Sequence, residues 1–370
     1  MNKQMMQWLV GLGWLAASGT VQATSVPLPT PLVTDLAKPW AVVAAPTGIL
    51  ITERSGQVKF IPRDAANGNQ LQPAAMTTHD LRPADLLELG QGGLLDLEAI
   101  RTTPEGIDYW LSYSCGTAAA NHTCVAQTHW NGTSFSNPEP LFKSMPAKAG
   151  GAHFSGRLLA LPDGRVLLSV GDGFDYREQA QQLDSQLGKV LQLLPTEPVQ
   201  ASIFTRGHRN VQGLVFDPER QRVLAHEHGP RGGDEINILL EGENYGWPLA
   251  THGLDYTGAK VTPYESVAGT AAPLYHWTPS IAPSGMALWR DQIIVTSLAA
   301  RAIHVLDANR LADGDQVLLQ AANTRWRDVL VTDDQRILLL SDGTDAALYD
   351  VTEMFESLLV TQTQNQLTTE

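Results

Sequence analysis

Six times along this chain, a turn built from Pro, Gly, Asp or Glu opens onto an apolar run that closes in small or polar residues. The segments are APTGILITER, TPEGIDYWLSYS, LPDGRVLLSVGD, DPERQRVLAHEHG, WRDQIIVTSLA and TDDQRILLLSDG. Each run is apolar and β-branched over about 4–6 positions, the pattern of a buried strand rather than of an amphipathic helix. The turns fall near Thr47, Glu105, Asp163, Glu219, Asp291 and Asp334. They are spaced mostly by about 55–60 residues, with one longer and one shorter step. In several units a further strand is legible, as in SGQVKFI and ARAIHVLD. A repeat of this length, made of several short strands, predicts propeller blades. Six units predict an all-β, six-bladed β-propeller. A β-sandwich with decorated hairpins is the alternative on this pattern alone.

The ends of the chain differ from the repeat. Lys3 precedes an uncharged, largely apolar stretch from Met5 to Ala17, and small residues lead to Val21-Gln22-Ala23. A positive start, a short apolar core and a small-x-small site predict a signal peptide over residues 1–23. The stretch is too short for a spanning helix, which needs about 20 residues. The propeller is expected over residues 24–358, without an internal linker, followed by a polar tail over 359–370. Export to the periplasm or beyond follows from the signal. In an oxidising compartment Cys115 and Cys124, the only cysteines, predict a disulfide closing a short loop.

Composition narrows the function. The chain is 43% hydrophobic and 17% charged, with 32 Gly and 22 Pro, which fits a turn-rich globular protein. A formal charge of −14 disfavours nucleic acid and anionic membranes as partners. An acidic protein that binds an anion must therefore gather its few cations locally.

Three segments carry candidate chemistry. The first joins Gly207-His208-Arg209-Asn210 to Glu227-His228-Gly229-Pro230-Arg231-Gly232-Gly233-Asp234. Glycines among polar residues suit carbonyls turned toward a ligand, such as the oxygen ligands of Ca²⁺; an irregular loop bonded to itself reads equally well. The second is GGAHFSGR, in which His153 is a candidate general base, with Asp172 of SVGDG placed to orient it. The third is TRWRDV. Arg325 and Arg327 flank Trp326, so on a strand their guanidinium groups share a face and suit carboxylates. A dinucleotide-binding GxGxxG after a first strand, a nucleophilic-serine elbow and a His-Glu-x-x-His zinc motif are all missing.

Together GHRNVQGL, EHGPRGGDEIN, NYGWP, GGAHFSGR, APSGM and RWRDV resemble the soluble aldose-sugar dehydrogenases, the glucose/sorbosone dehydrogenase family. The resemblance runs from about Pro39 to Tyr349 and is weak between Leu97 and Ala149. It implies a six-bladed propeller that uses pyrroloquinoline quinone (PQQ) and Ca²⁺ to oxidise an aldose to its lactone, passing electrons to an external acceptor. By the same resemblance His153 takes the anomeric proton, Asp172 holds it, and Arg209 stabilises negative charge on the quinone. Gln91, Asn210, His228, Asp234, Arg325 and Arg327 complete the cofactor site, and the carbonyls of Gly229 and Pro230 bind the metal.

The family pattern also places a Lys after Ser-Leu in the fifth unit, where this chain has Ala299. Arg301, read as two residues further along one strand, is a candidate substitute; a solvent-facing turn is the other reading. Two competing functions stay open: a Ca²⁺-dependent propeller lactonase, and a non-enzymatic binding propeller that has lost the cofactor.

Overall fold

The computed structural model describes residues 28–67 and 70–357. The expected signal peptide and polar tail lie outside these residues. No described helix is long and apolar enough to cross a membrane.

The strands form six separate antiparallel sheets. The first sheet is built on Pro39–Ala45, Gly48–Glu53 and Gln57–Asp64, and the second on Leu94–Thr103, Gly106–Gly116, Asn121–Trp130 and Glu139–Lys143. The third runs from Ser155–Ala160 to Gln200–Arg206, the fourth from Val211–Asp217 to Tyr275–Trp277, and the fifth from Pro283–Trp289 to Asp315–Leu318. The sixth contains Trp326–Val331, Ile337–Ser341 and Ala346–Asp350, and its outer strand is Val33–Leu36 from the other end of the chain. The first strand of each sheet packs beside the first strand of the next, and Pro39–Ala45 meets Trp326–Val331 to close the ring. This is a six-bladed β-propeller. All six turns singled out in the sequence are the hairpins between first and second blade strands.

The core lies between blades. Ile49, Ile51 and Ile61 of the first blade pack on Leu338, Leu340 and Leu348 of the sixth, and equivalent clusters fill the other joints. Cys115 and Cys124 are disulfide-bonded across neighbouring strands of the second blade, within the weakly matching region.

Antiparallel pairing brings the start of each first strand and the end of each second strand to the same end of the ring. The terminal pairs there include Pro39 with Glu53, Ser155 with Val170, Val211 with Glu227, Pro283 with Ser297, and Trp326 with Ser341. In all six blades the register of this first hairpin slips near that end. A bulge bends its strand and re-aims a side chain. The repeat thus turns loop residues from several blades toward one mouth.

Below that mouth the axis is filled. Arg157, buried at the ring centre, makes 3.4 Å ion pairs with Asp96 and with Asp328, and its guanidinium lies 4.3 Å from the Trp40 ring centroid. Asp96 also accepts the Leu158 N–H and Asp328 the Val42 N–H, so this cluster ties together inner strands of four blades.

Candidate active site

Residues flanking the inner hairpins line a cavity of about 360 Å³ at this mouth. Gln91, Asn210, His228, Arg325 and Arg327 face it, as the sequence reading expects, and so do Lys38, Trp40, Arg54, Gln212 and Asp342. A second cavity of about 260 Å³ is lined by Phe174, Arg209, Pro230, Trp247 and Tyr256.

His153 is tied to both cavities. Its backbone N–H donates to Gln91 Oε1 at 2.8 Å, and its ring stands edge-on to Phe174 at 5.0 Å. It precedes an inner strand, with φ of 51°, a left-handed conformation that a non-glycine residue rarely adopts. The His153 side chain is only 5% exposed, and Nδ1 lies 2.7 Å from Asp172 Oδ1. Asp172, wholly buried, also accepts the Phe174 N–H at 2.8 Å and the Trp247 indole N–H at 2.8 Å. With its lone pairs so engaged, the carboxylate takes the proton of Nδ1–H and leaves the lone pair on Nε2. Among the described residues no hydrogen bond occupies Nε2. Burial pushes the imidazole below its ordinary pKa, Asp172 opposes the shift, and the charges of Arg209 and Lys148 reinforce it. The result is a neutral, oriented base.

Arg209 is equally fixed. Its backbone N–H donates to Glu227, and its carbonyl accepts the Asp172 N–H at 2.9 Å, which links the loops of the third and fourth blades. The guanidinium donates to Gly229 O at 2.7 Å and Tyr256 Oη at 3.1 Å, and its carbon is 5.4 Å from the centroid of the Trp247 ring. Asn210 Oδ1 accepts from Ser155 Oγ at 3.1 Å. His228 donates from Nε2 to Pro283 O at 2.7 Å, and burial holds it neutral.

Arg325, just before the strand Trp326–Val331, and Arg327, within it, converge on one carboxylate. Both guanidinium groups reach Asp342, Arg325 at 3.0 Å and Arg327 at 2.7 Å.

Comparison with known proteins decides the family. The profile described as Glucose / Sorbosone dehydrogenase matches residues 36–350. The chain belongs to the glucose/sorbosone dehydrogenase family. It is 32% identical over 345 residues to aldose sugar dehydrogenase YliI of Escherichia coli, covering 85% of this chain and 89% of that one. The apo-form crystal structure of the soluble aldose sugar dehydrogenase from E. coli superposes with a TM-score of 0.76 at 32% identity, covering 86% of this chain and 97% of the other. Quinoprotein glucose dehydrogenase B of Acinetobacter calcoaceticus is 31% identical over 178 residues, 40% of this chain and 37% of its own.

Within this oxidoreductase family, the structure places the expected residues unevenly. Asp234 does not line either cavity. It sits behind the metal-candidate loop, accepting the N–H groups of Gly229, Ile281 and Ala282, and so shapes that loop. Arg301 takes the turn reading, not the strand one. The strand ends at Ser297, Arg301 occupies a left-handed turn (φ 53°), and its guanidinium bonds Asn323 at 3.1 Å outside the cavity lining. The turn breaks the alternation that the strand argument needed.

Sequence reasoning missed Lys38, Arg54, Asp342 and Trp247. A signal existed for three of them. The mouth collects residues just before a first strand or just after a second one, and Lys38 precedes Pro39, Arg54 follows Glu53, and Asp342 follows Ser341. Trp247 comes from a long excursion of the fourth blade and has no such register.

Proposed function

We propose that this protein oxidises an aldose at its anomeric carbon to the lactone, with PQQ held in the larger cavity. The observation that carries this reading is the joining of a neutral, carboxylate-oriented His153 to a cavity rich in cations. The cation set fits the cofactor. PQQ carries three carboxylates, and Lys38, Arg54, Arg325 and Arg327 line the cavity against one lining carboxylate, Asp342. An unlike pair at 4 Å is worth about 4 kcal/mol at an effective dielectric of 20 before desolvation is charged against it, so several such pairs dominate binding of a polyanion. The word quinoprotein in the name of the Acinetobacter relative supports the same cofactor class.

When bound, the quinone supplies a two-electron acceptor for the hydride leaving C1. The protein's own residues do the rest. His153 Nε2 takes the anomeric hydroxyl proton, which a neutral imidazole within hydrogen-bond reach does near neutral pH. Asp172 keeps the ring in the productive tautomer and stabilises the imidazolium that forms. Arg209, which lines the second cavity, would supply positive charge to stabilise the negative charge developing on the acceptor side. Trp247 and Phe174 cover the dyad from water. Gln91 fixes the backbone that carries the base.

Calcium fits less directly. The carbonyls of Gly229 and Pro230 are hard oxygen donors of the right kind. Gly229 O is held by the Arg209 guanidinium, and among the described residues no group of three or more His, Cys, Asp or Glu is arranged for a metal. A Ca²⁺ at these carbonyls would require the guanidinium to withdraw and further ligands from the cofactor or water, so no step is derived through it.

The lactonase alternative needs free carboxylates in the channel. Asp96 and Asp328 lie there, but Arg157 engages both. The test is reconstitution. Purified protein mixed with PQQ, with and without Ca²⁺, is expected to reduce a dye only when an aldose is supplied. Lactone hydrolysis without aldose-dependent dye reduction would transfer the assignment to the hydrolase. The export reading stands beside this: the disulfide suits an oxidising compartment.

A further inference from the structure

The mouth holds more positive charge than the Arg325–Arg327 pair supplies, in a protein whose formal net charge is −14. Those two arginines share one carboxylate, Asp342. On the first blade, Lys38 and Arg54 line the same cavity. Arg54 donates through Nε and Nη2 to Gly92 O at 2.9 and 2.7 Å, and through Nη2 to Gly90 O as well. Every one of these acceptors is a backbone carbonyl. No ion pair with Arg54 forms among the described residues. Its charge is fixed in place and left without a contact counter-ion. The carbonyls belong to the loop carrying Gln91, so the cation and the residue that holds the base's backbone are set by one device.

Lys38 is held in an unfavourable conformation for the same wall. Its φ is 50°, left-handed for a residue with a side chain. The backbone is clamped on both sides: its N–H donates to Gly343 O at 2.7 Å, and its carbonyl accepts the Arg54 N–H at 3.2 Å. Gly343 follows Asp342, so the clamp joins the two cationic walls. The ammonium reaches Glu88 at 2.9 Å, but the side chains are 47% and 33% exposed, and an exposed pair of this kind contributes little. A weak surface ion pair does not account for a strained, doubly clamped lysine at a cavity wall. Burial and the charge of Arg327 both act against protonated Arg54; the carboxylates that favour it, Glu88 and Asp342, are themselves in contact with Lys38 and with Arg325 and Arg327.

We infer that Lys38, backed by Arg54, forms a second cationic pole of this cavity and contacts a ligand carboxylate other than those taken by Arg325 and Arg327. The inference rests on the reading of the cavity as the PQQ site and adds a residue to it. It also answers how the chain manages with alanine at position 299: Ala299 is exposed and lies outside the cavity lining, and the first blade supplies the cation instead.

The test is a set of binding measurements on the full chain, read by tryptophan quenching or equilibrium dialysis at fixed Ca²⁺. Lys38→Met is expected to weaken PQQ binding by about tenfold, in the range of a charge-assisted hydrogen bond partly screened by water. Lys38→Arg should restore most of it, and Glu88→Gln, which frees the ammonium, should tighten it. Unchanged PQQ affinity in both Lys38→Met and Glu88→Gln overturns the inference. A redox-inert probe separates this from the parent reading. Benzene-1,3,5-tricarboxylate, titrated calorimetrically, should bind wild type and weaken in Lys38→Met. If wild type ignores PQQ yet binds this tricarboxylate in a Lys38-dependent way, the pole stands and the cofactor assignment falls. If Lys38→Met leaves tricarboxylate binding unchanged, or wild type binds neither ligand, the pole falls.

Discussion

At the scale of single residues, the account turns on which nitrogen of His153 carries the proton. Asp172 fixes that choice with one oxygen on Nδ1 and the other on the Trp247 indole. Asp172→Asn keeps the shape but can present an N–H to Nδ1, which favours the wrong tautomer. We expect kcat/KM to fall by at least about 10²-fold with folding intact, checked by steady-state kinetics beside a melting curve. The pH dependence has a defined sign. Burial lowers the imidazole pKa, so the neutral base persists below pH 6.5, its ordinary value, and activity is lost as pH falls through the depressed pKa. The acid limb of kcat/KM should therefore lie below 6.5. Substituting Asp172, the one group that raises this pKa, should move the limb lower still. An acid limb clearly above 6.5 would contradict burial as the controlling influence. The sequence showed His153 and Asp172 as candidates because a histidine follows a glycine pair and an aspartate follows a strand of the same unit. It could not show Trp247 as the third member, since that contact spans 75 residues and depends on how an excursion folds back.

At the scale of elements, the hairpin and its bulged mouth are the functional unit. The six turns were legible because Pro, Gly and Asp punctuate runs that can only be buried strands. The mouth was partly legible. Arg325 and Arg327 converge on Asp342 although Arg325 stands just before the strand Trp326–Val331, while Arg301 does not follow Ala299 along a strand because the chain turns there. Alternation holds only inside a strand, and sequence reasoning is weakest at strand ends, where the site lies. A glycine at such an end gives a test. A Cβ at Gly171 would stand 2.2 Å from the His153 carbonyl oxygen, closer than atoms approach, and the obstacle is backbone. Gly171→Ala should therefore displace the His153 backbone, lowering both melting temperature and activity, whereas Gly164→Ala, in an open turn with φ of 87°, should cost some stability but little activity. Activity in Gly171→Ala as little changed as in Gly164→Ala would show that the mouth tolerates backbone shifts. The Cys115–Cys124 bridge works at this scale too. It closes a short loop inside one blade, so its reduction should cost at most about 3 kcal/mol of stability and leave sugar preference unchanged.

At the scale of the molecule, the ring is closed by hydrophobic joints and by the ion cluster at its axis. Arg157 neutralises Asp96 and Asp328, and removing it leaves two buried carboxylates facing one another. We predict that Arg157→Leu costs about 3–5 kcal/mol, a loss read by denaturant unfolding. A change under 1 kcal/mol would mean that the axis is wetter than the packing indicates. The whole-molecule charge carries the deeper lesson. A net charge of −14 argues against an anionic ligand, yet the fold gathers four cations at one mouth from its first and sixth blades. Composition could not reveal that concentration, because Lys38 and Arg325 are nearly the length of the chain apart and meet only when the ring closes. The measurement that bears most directly on the central claim is a single turnover of PQQ-loaded protein with excess aldose, followed by absorbance of the bound quinone. Wild type should reduce it, while His153→Ala should bind PQQ with unchanged affinity and reduce it about 10²–10⁴-fold more slowly. Reduction by His153→Ala at the wild-type rate would contradict the account.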